Sequence, residues 1–321
     1  MKQNIVNFIK SSAKKAGVTL LKNHQYDDLL QQRDTLLTMY MEGLGSQKRK
    51  STANILFSLN RPIQVYATLE SYFKYMKNPA HVYVIYGVTN EIYLPAYNEL
   101  IESFKGYPVT FIKETKFRDT LVEVLESLKE ENIVFMTDDD IFTREYDMAE
   151  LLKFDPLKEI PTIRLAPYFT RSYTMNVDQL PPKHMKKSEQ YADMFEWDWS
   201  HNESDNEWAY PMSVEMHLFD TKEILAMTKS LKFKAPNTYE GMLMMYRSHV
   251  QKRKGLCYAE QFLFNNPCNK VQTENNNIAG DITPEFLLEK WNKGLKIDIE
   301  PFYHIRTKAP HEEYSFKFIQ R

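Results

Sequence analysis

A repeated alternation of apolar runs and amphipathic stretches between residues 54 and 137 constrains this fold more than any other feature. Apolar runs at 54–58, 81–86, 109–112 and 133–137 lack helical spacing, whereas the intervals between them carry apolar residues at helical spacing. Strands that alternate with helices along a chain form parallel sheets. The sequence therefore predicts an α/β fold with a mostly parallel sheet flanked by helices, and with the strand carboxyl ends at one edge.

The fourth of these runs ends in three consecutive carboxylates, Asp138, Asp139 and Asp140. Adjacent like charges repel unless a cation neutralises them, and carboxylate oxygens suit Mg2+ or Mn2+, commonly with phosphates completing the shell. The earlier strands end at 58–61 and 86–89, at the same edge of the sheet, so the pattern predicts a metal–diphosphate site there. The alternative is an acidic loop after the strand that is either solvated or caps the next helix.

Composition narrows the class of protein. A chain of 321 residues with 43% hydrophobic residues can form one large α/β domain or two smaller ones. A net charge of -2 provides no general attraction for nucleic acid, so no nucleic-acid partner is expected and an anionic ligand needs a local site. Cys257 and Cys268 form neither a C-x-x-C pair nor a cluster with histidine, which argues against structural zinc and a disulfide scaffold.

A cytoplasmic location is expected, because this cysteine usage is typical of a reducing compartment and no apolar run reaches the length of a membrane span. Residues 1–21 also lack the apolar centre of a signal peptide.

Residues 1–50 are predicted to be a helical extension and linker ahead of a domain at 51–321. Two helices are expected within residues 1–45, the first with Ile5, Phe8 and Ile9 on one face among lysines. A basic amphipathic helix can lie on the inner face of an anionic membrane, or it can pack on the domain or on a second copy of the chain. Peripheral membrane contact and homodimerisation both stay open.

The segment after the acidic triplet is less regular. A strand is predicted at 162–166, followed by a long loop at 167–210 that carries Trp197, Trp199 and Trp208 among acidic residues. Aromatic faces beside carboxylates can hold sugars, but the same side chains can simply cover the sheet.

Alternation at 213–219 predicts a strand with Glu215 and His217 on one face. In the helix that follows, Asn237 or Thr238 is a natural N-cap and Glu240 falls in the first turn. A carboxylate there is ordinary capping chemistry, and it is also a rigid place for a general base. The remaining predictions are a polar segment at 253–277, a helix through 286–291 capped by Thr283 or Asp281, and a strand at 297–305.

Several segments together resemble nucleotide-sugar-dependent glycosyltransferases of GT-A fold, in particular the family-2-like enzymes of bacterial and large-virus polysaccharide synthesis. The matching segments are the strand that ends in Asp138-Asp139-Asp140, the turn at 57–62, and residues 210–217, 235–240 and 309–314. The resemblance spans residues 50–320. It implies a nucleotide-binding half at 51–145, an acceptor half at 160–265 and a C-terminal tail at 266–321 that closes the site.

The resemblance also implies which residues bind the donor. The implied nucleotide contacts are Ser58, Asn60, Arg61, Asp138 and Asp139, and the implied ligands of a Mn2+ or Mg2+ ion on the donor diphosphate are Asp138, Asp140 and His311. His304 is the alternative histidine ligand, and Arg61 can equally be a structural salt-bridge residue. His217 can contact substrate or be a core histidine.

Glu240 is the candidate general base, with Glu215 and Asp198 as alternatives. In this role a single carboxylate takes the proton of an acceptor hydroxyl while the hydroxyl oxygen attacks the anomeric carbon opposite the leaving group. Such a reaction inverts the configuration of the sugar. Related sequences more often have Asp-Gly-His where this chain has Glu215-Met216-His217.

The sequence thus predicts a metal-dependent, inverting glycosyltransferase that moves a sugar from a nucleoside-diphosphate donor to a glycan or glycoconjugate acceptor. A sugar-phosphate nucleotidyltransferase also uses an α/β sheet with Mg2+, but it needs a glycine-rich loop after the first strand, and the chain has only 9 glycines. A non-catalytic carbohydrate-binding module explains the aromatic residues and leaves the acidic triplet without a purpose.

Overall fold

The computed structural model describes residues 13, 21–45, 49–201, 207–269 and 279–321, and the chain divides into two compact units, Met1–Ser46 and Gln47–Arg321. In the first unit, helix α1 (Asn23–Gly43) confirms the second of the two predicted N-terminal helices. The first predicted helix lies, apart from residue 13, outside the described residues. None of the helices in the described ranges combines the length and apolar character needed to cross a bilayer.

The second unit contains twelve labelled strands and seven labelled helices. The strands are β1 (Thr52–Leu59), β2 (His81–Gly87), β3 (Val109–Lys113), β4 (Asn132–Thr137), β5 (Asp140–Phe142), β6 (Glu159–Thr162), β7 (Met194–Asp198), β8 (Leu218–Asp220), β9 (Lys254–Tyr258), β10 (Leu263–Asn265), β11 (Leu295–Ile297) and β12 (Phe318–Gln320). The helices are α2 (Pro62–Tyr75), α3 (Leu94–Ser103), α4 (Phe117–Ser127), α5 (Thr221–Ser230), α6 (Pro236–Leu243), α7 (Arg247–Val250) and α8 (Pro284–Asn292).

The central sheet confirms the predicted α/β class. Its strand order is β8-β4-β1-β2-β3, with β1 parallel to both β2 and β4, β2 parallel to β3, and β8 antiparallel to β4. This mostly parallel sheet flanked by helices is consistent with the expected GT-A-like fold. Strand β1 lies at its centre and is buried from Thr52 to Ser58, as expected for a strand that is covered on both faces.

The two faces of the central sheet have different apolar neighbours. On one face, Leu56 and Met136 belong to the main core, which also includes residues of α2 and α3. On the other, Phe57 packs edge-to-face on Phe117 of α4, with ring centroids 5.1 Å apart. Tyr239 of α6 also contacts that face, 5.8 Å from the ring of Phe135. Helix α6 is therefore fixed against the sheet by a buried aromatic residue.

A second sheet has the order Lys186–Lys187, β7, β9, β6. The strand predicted at 162–166 is wrong by several residues, because the observed strand, β6, ends at Thr162. The next residue has left the sheet, and its carbonyl, Ile163 O, accepts a hydrogen bond from Phe262 N–H. The polar segment predicted at 253–277 is also wrong in part, since it contains β9 and β10. These strands are short and mostly buried, so they lack the alternation of apolar and polar residues by which a strand is predicted from sequence.

The three tryptophans of the long loop are core residues. Trp197, Trp199 and Trp208 are each at most 2% exposed, and the rings of Trp197 and Trp208 meet edge-to-face at 5.2 Å. The sugar-holding hypothesis is wrong for these three, and the alternative, that they cover the sheet, is right. Gly255, paired with Trp197 across β7 and β9, leaves room for the indole.

Three local predictions also fail. The strand at 213–219 shrinks to β8, because Met216 adopts φ 49° and breaks the alternation; Glu215 and His217 consequently do not share a strand face. The N-cap of α6 is Ala235 with Pro236 at N1, so Glu240 is the fifth residue of the helix, just past the first turn in which it was expected. The strand predicted at 297–305 ends at Ile297 and is followed by a 3-10 turn at Glu300–Phe302. The predicted cap of α8, Thr283, is confirmed.

Gly255→Ala should destabilise the protein by about 1–3 kcal/mol, because a Cβ at this position would lie 2.2 Å from the Trp197 ring. Gly241→Ala is the matched control: Gly241 lies within α6 with no atom near an added Cβ, so alanine should stabilise the helix by about 0.5–1 kcal/mol. Denaturant unfolding of both variants measures the two changes. Equal effects from the two would contradict the packing described for the tryptophans.

Candidate active site

A cavity of about 860 Å³ lies at the carboxyl edge of the central sheet. Its lining residues come from all three segments that the sequence predicts to form the site. Asp138 and Asp139 come from 51–145, Glu215 and Glu240 from 160–265, and His311 from 266–321. Residues far apart in the chain therefore share one enclosure, as a substrate site requires.

Arg61 forms a buried clamp on the acidic triplet. Arg61 is the residue just before α2. Its guanidinium donates from Nη1 to Asp138 Oδ1 at 2.8 Å and to Asp139 Oδ2 at 3.1 Å. Its Nη2 donates to the carbonyl of Asn269 at 2.7 Å. Burial raises the pKa of Asp138 above its usual range, Arg61 opposes the rise, and the charge on Asp139 adds to it. Arg61 thus has the structural role that the sequence left open.

Ser58 and Asn60 hold the end of β1 in place. Ser58 Oγ donates to Asp138 Oδ2 at 2.8 Å. Asn60 has φ 59°, a conformation that asparagine tolerates better than most residues, and its side chain is bonded to Thr89 in both directions. Ser58 contributes to the cavity wall, whereas Asn60 joins the ends of β1 and β2 behind it.

Asp140 is fully buried at the start of β5. Its Oδ2 accepts from Thr137 N–H at 2.9 Å, which closes the tight turn of the triplet. Burial raises its pKa well above the usual range, and the charges of Glu215 and Asp139 raise it further. The predicted ligand Asp140 therefore lies close to Glu215 but beneath the cavity wall, while Asp139 is part of that wall.

Asn265, which the sequence analysis did not select, connects the triplet to the C-terminal tail. Its Nδ2 lies 2.6 Å from Asp139 Oδ1, 3.2 Å from Asp140 Oδ1 and 3.0 Å from Thr137 Oγ1. Its backbone N–H donates to Pro310 O at 2.9 Å, and its carbonyl accepts from Glu312 N–H at 3.1 Å. These two bonds bracket His311, so one residue positions both the acidic tip and the histidine.

His311, which is partly exposed, packs against three buried charged residues. Its Nε2 lies 2.7 Å from Glu215 Oε1 and its Nδ1 3.6 Å from Glu207 Oε1. Arg164, only 2% exposed, pairs with Glu207 at 2.7 Å and with Glu215 at 3.2 Å. Each cation therefore contacts both carboxylates, which makes burial of these charges tolerable.

The pKa values of this group follow from opposed effects. Burial alone would lower the pKa of His311, but Glu215 and Glu207 raise it well above the ordinary histidine value. Burial would raise the pKa of Glu207, but Arg164 and His311 lower it below its usual range. The structure thus favours a protonated His311 between two carboxylates.

The other histidine and carboxylate candidates lie elsewhere. His304 is half exposed and lies 3.8 Å from Glu145, so between the two histidines it is His311 that reaches the cavity. His217 is fully buried with Nδ1 3.0 Å from Pro211 O, and burial lowers its pKa to about 3, as expected for a core histidine. Asp198 accepts from Ser200 at the end of β7.

Glu240 faces the cavity from α6. Its Oε1 accepts from Val214 N–H at 3.0 Å and from Ser213 Oγ at 3.2 Å. Burial raises its pKa to about 7, and the charge of Glu215 contributes to the rise. Tyr239, the preceding residue, is buried against the sheet, so the carboxylate is held on a rigid element. A base with a pKa near 7 is well matched to proton transfer at neutral pH.

The donor chemistry of this edge fits a hard divalent cation. Asp138, Asp139, Asp140 and Glu215 offer carboxylate oxygens, and the pKa of Asp140 is raised first by burial and then by the like charges of Glu215 and Asp139, which a cation would relieve. Within the described ranges, no group of three His, Cys, Asp or Glu side chains is already arranged as a metal cage. Binding would therefore require some rearrangement, including loss of the His311 proton if that ring is a ligand.

Sequence reasoning missed Arg164, Glu207 and Asn265. A signal existed for Arg164, which interrupts the apolar run Thr162-Ile163-Arg164-Leu165-Ala166. An arginine in such a run is rarely buried without a carboxylate partner, so it predicts a buried ion pair. Asn265 carries no comparable signal, because its role depends on contacts with residues more than 120 positions away.

Known proteins are similar to parts of this chain in sequence or in structure. The chain matches no known family profile. A stretch of 185 residues, 53% of the chain, is 28% identical to the bifunctional glycosyltransferase pgtA of Dictyostelium discoideum. This chain is similar to a glycosyltransferase. The match spans 24% of that relative's length. Among solved structures, S. aureus TarS aligns with a TM-score of 0.42 at 13% identity, over 75% of this chain and 39% of that one.

Asn265→Asp should destabilise the fold in a pH-dependent way. The substitution keeps the shape of the side chain but places a third carboxylate against Asp139 and Asp140. These neighbours raise the folded-state pKa of the new carboxyl above its unfolded value of about 4, so the destabilisation is present above that pH and fades below it. We expect a loss of about 2–3 kcal/mol at pH 7 relative to the native chain.

Thermal unfolding from pH 4 to 8 measures this loss. Asn265→Leu is the control, because it removes the same hydrogen bonds without adding a charge and should lose stability to a similar extent across the range. A pH-independent loss in Asn265→Asp would contradict the contacts assigned to the amide.

Proposed function

We propose that this protein is a metal-dependent, inverting glycosyltransferase that moves a sugar from a nucleoside-diphosphate donor to a hydroxyl of a glycan or glycoconjugate. The observation that carries the proposal is the position of Glu240, a half-buried carboxylate whose pKa is raised to about 7, in the same cavity as the acidic sheet edge. The family-2-like assignment within the GT-A fold is part of the proposal. It is supported by the motif resemblance and by the mostly parallel sheet.

The donor end of the site is the edge formed by β1, β2 and β4. Ser58, Asp138 and Asp139 would lie beside the nucleotide, with Arg61 fixing the two carboxylates. Asp138, Asp139 and Asp140, with His311 from the tail, would hold a Mn2+ or Mg2+ ion. Such an ion, when bound, neutralises the charge that develops on the departing diphosphate.

At the reacting end, Glu240 takes the proton from the acceptor hydroxyl. The acceptor oxygen forms a bond to the anomeric carbon while the bond from that carbon to the donor phosphate oxygen breaks, and the electron pair leaves with the nucleoside diphosphate. Attack on the face opposite the leaving group inverts the configuration. Val214 N–H and Ser213 Oγ hold the Glu240 carboxylate so that its other oxygen can accept the proton.

Glu240→Gln should lower kcat by about 10²-fold or more while the affinity for a nucleoside diphosphate with Mn2+ stays within about twofold. Glutamine keeps the shape of the side chain and can still accept from Val214 N–H, but it cannot take a proton. Transfer assays with a donor panel, together with calorimetric titration of the diphosphate, measure both quantities. Glu126→Gln is the control. Glu126 pairs with Lys229 on the surface, so this variant should retain normal turnover. Near-normal turnover in Glu240→Gln would show that Glu240 is not the base.

The rate should rise with pH through about 7. Glu240 accepts a proton only when ionised, and because its pKa is raised to about 7, the ionised fraction falls as the pH drops below that value. The pH dependence of kcat in the native chain tests this. A flat profile from about pH 5 to 8 would show that the ionisation of Glu240 does not limit the reaction.

A further inference from the structure

Glu114 is a cavity-lining carboxylate to which neither the resemblance nor the comparisons assign a role. It follows β3 directly, at the edge where β1 and β2 also end, and its backbone N–H donates to Tyr86 O at 2.9 Å. Its side chain lies in the cavity wall with Leu59, Ile85 and Phe117. Leu59, Ile85 and Phe117 are apolar, and Thr89 and Lys234 line the same cavity.

The Glu114 carboxylate lacks a partner within the described part of the chain, where it makes no hydrogen bond or ion pair. Of the described residues, four cations line the cavity: Arg61, Arg164 and His311 contact other carboxylates, and the fourth, Lys234, has no effect on the pKa of Glu114. Burial raises the pKa of Glu114, which is the effect of removing a carboxylate from water without supplying a donor. A ligand that brings N–H groups to this place would supply it.

Gly87 holds the space for this carboxylate. A Cβ at position 87 would lie 2.5 Å from Glu114 Oε1 and 3.1 Å from Leu59 Cδ1. Gly87 does not have a positive φ, so the backbone conformation itself does not require glycine. The absence of a side chain at the end of β2 therefore lets the Glu114 carboxylate lie across the sheet edge beside the end of β1.

Apolar side chains beside a carboxylate that lacks a donor suit a nucleobase. Uracil and guanine each carry a ring N–H that a carboxylate can accept, and guanine adds an amino group beside it. Adenine and cytosine offer an amino donor too, but their ring nitrogen at the corresponding position is unprotonated, so a carboxylate that accepts from the amino group has one donor fewer than with guanine and lies beside a lone pair. A buried acceptor left facing another acceptor costs binding energy, so this part of the wall can discriminate between the two classes.

We propose that Glu114 selects the nucleobase of the donor by accepting the ring N–H of uracil or guanine, and that it disfavours adenine and cytosine. This inference rests on the proposed function, since it takes the cavity to be the donor site. Glu114 is a specificity residue in this account, and it takes no part in the transfer step.

Calorimetric titration of UDP, GDP, CDP and ADP in the presence of Mn2+ tests the proposal. The native chain should bind UDP or GDP at least about tenfold more tightly than CDP and ADP, and the tighter of the two identifies the base. Glu114→Ala and Glu114→Leu should both weaken binding of the preferred nucleotide and strengthen binding of CDP and ADP, so that the four affinities converge. Glu126→Gln, an isosteric loss of a surface carboxylate, should keep the native preference.

Two results would overturn the inference while leaving the proposed function intact: equal affinity of the native chain for all four nucleotides, or a native preference that survives in both Glu114 variants. Melting temperatures close to the native value establish that the variants are folded. If the native chain binds none of the four nucleotides with Mn2+, the donor site itself is wrong, and the selectivity falls with it.

Discussion

Pairing of buried charges in the wall of the cavity is the constraint on which the rest of this structure depends. Asp138, Glu207 and Glu215 are nearly inaccessible to water, and an unpaired carboxylate in such a place costs several kcal/mol. Arg61 and Arg164 provide the opposing charges from other parts of the chain. Each pair joins segments that are distant in sequence, so the charges that the chemistry needs also determine how the segments assemble.

This arrangement separates two kinds of carboxylate. Glu207 and Glu215, which both pair with Arg164, have a lowered pKa and remain ionised, whereas Glu240, which accepts hydrogen bonds from Val214 and Ser213, has a raised pKa. Groups whose environments shift their pKa values in opposite directions are typical of sites that do acid–base chemistry. Rigid support comes from Tyr239, whose ring contacts the central sheet and whose hydroxyl lies 2.8 Å from Thr228 Oγ1. The similarity to a glycosyltransferase extends over part of the chain only, so it is this geometry that gives the proposed reaction its detail.

The parts of the fold that could be predicted from sequence are those governed by local pattern. Four parallel strands were predictable because each is a continuous apolar run between turns, and the helices between them follow a period of 3.6 residues. The strand at 213–219 failed because one residue, Met216, turns into the left-handed region, which no hydrophobic pattern reveals. The role of the three tryptophans was ambiguous, because composition alone does not distinguish aromatic side chains that stack on a sugar from aromatic side chains that fill a core. Site residues near the triplet were found through its charge, whereas Asn265 and Glu207 depend on contacts that only the folded chain creates.

The central claim is that the acidic sheet edge, Glu240 and His311 form one site that binds a sugar nucleotide through a divalent cation. A crystal structure of the protein soaked with Mn2+ and a nucleoside diphosphate, with anomalous diffraction recorded at the manganese edge, tests it most directly. The account predicts an anomalous peak at the carboxylates of the acidic triplet, with the diphosphate on its cavity side and the nucleobase near Glu114. A manganese peak or a nucleotide bound outside this cavity would contradict it.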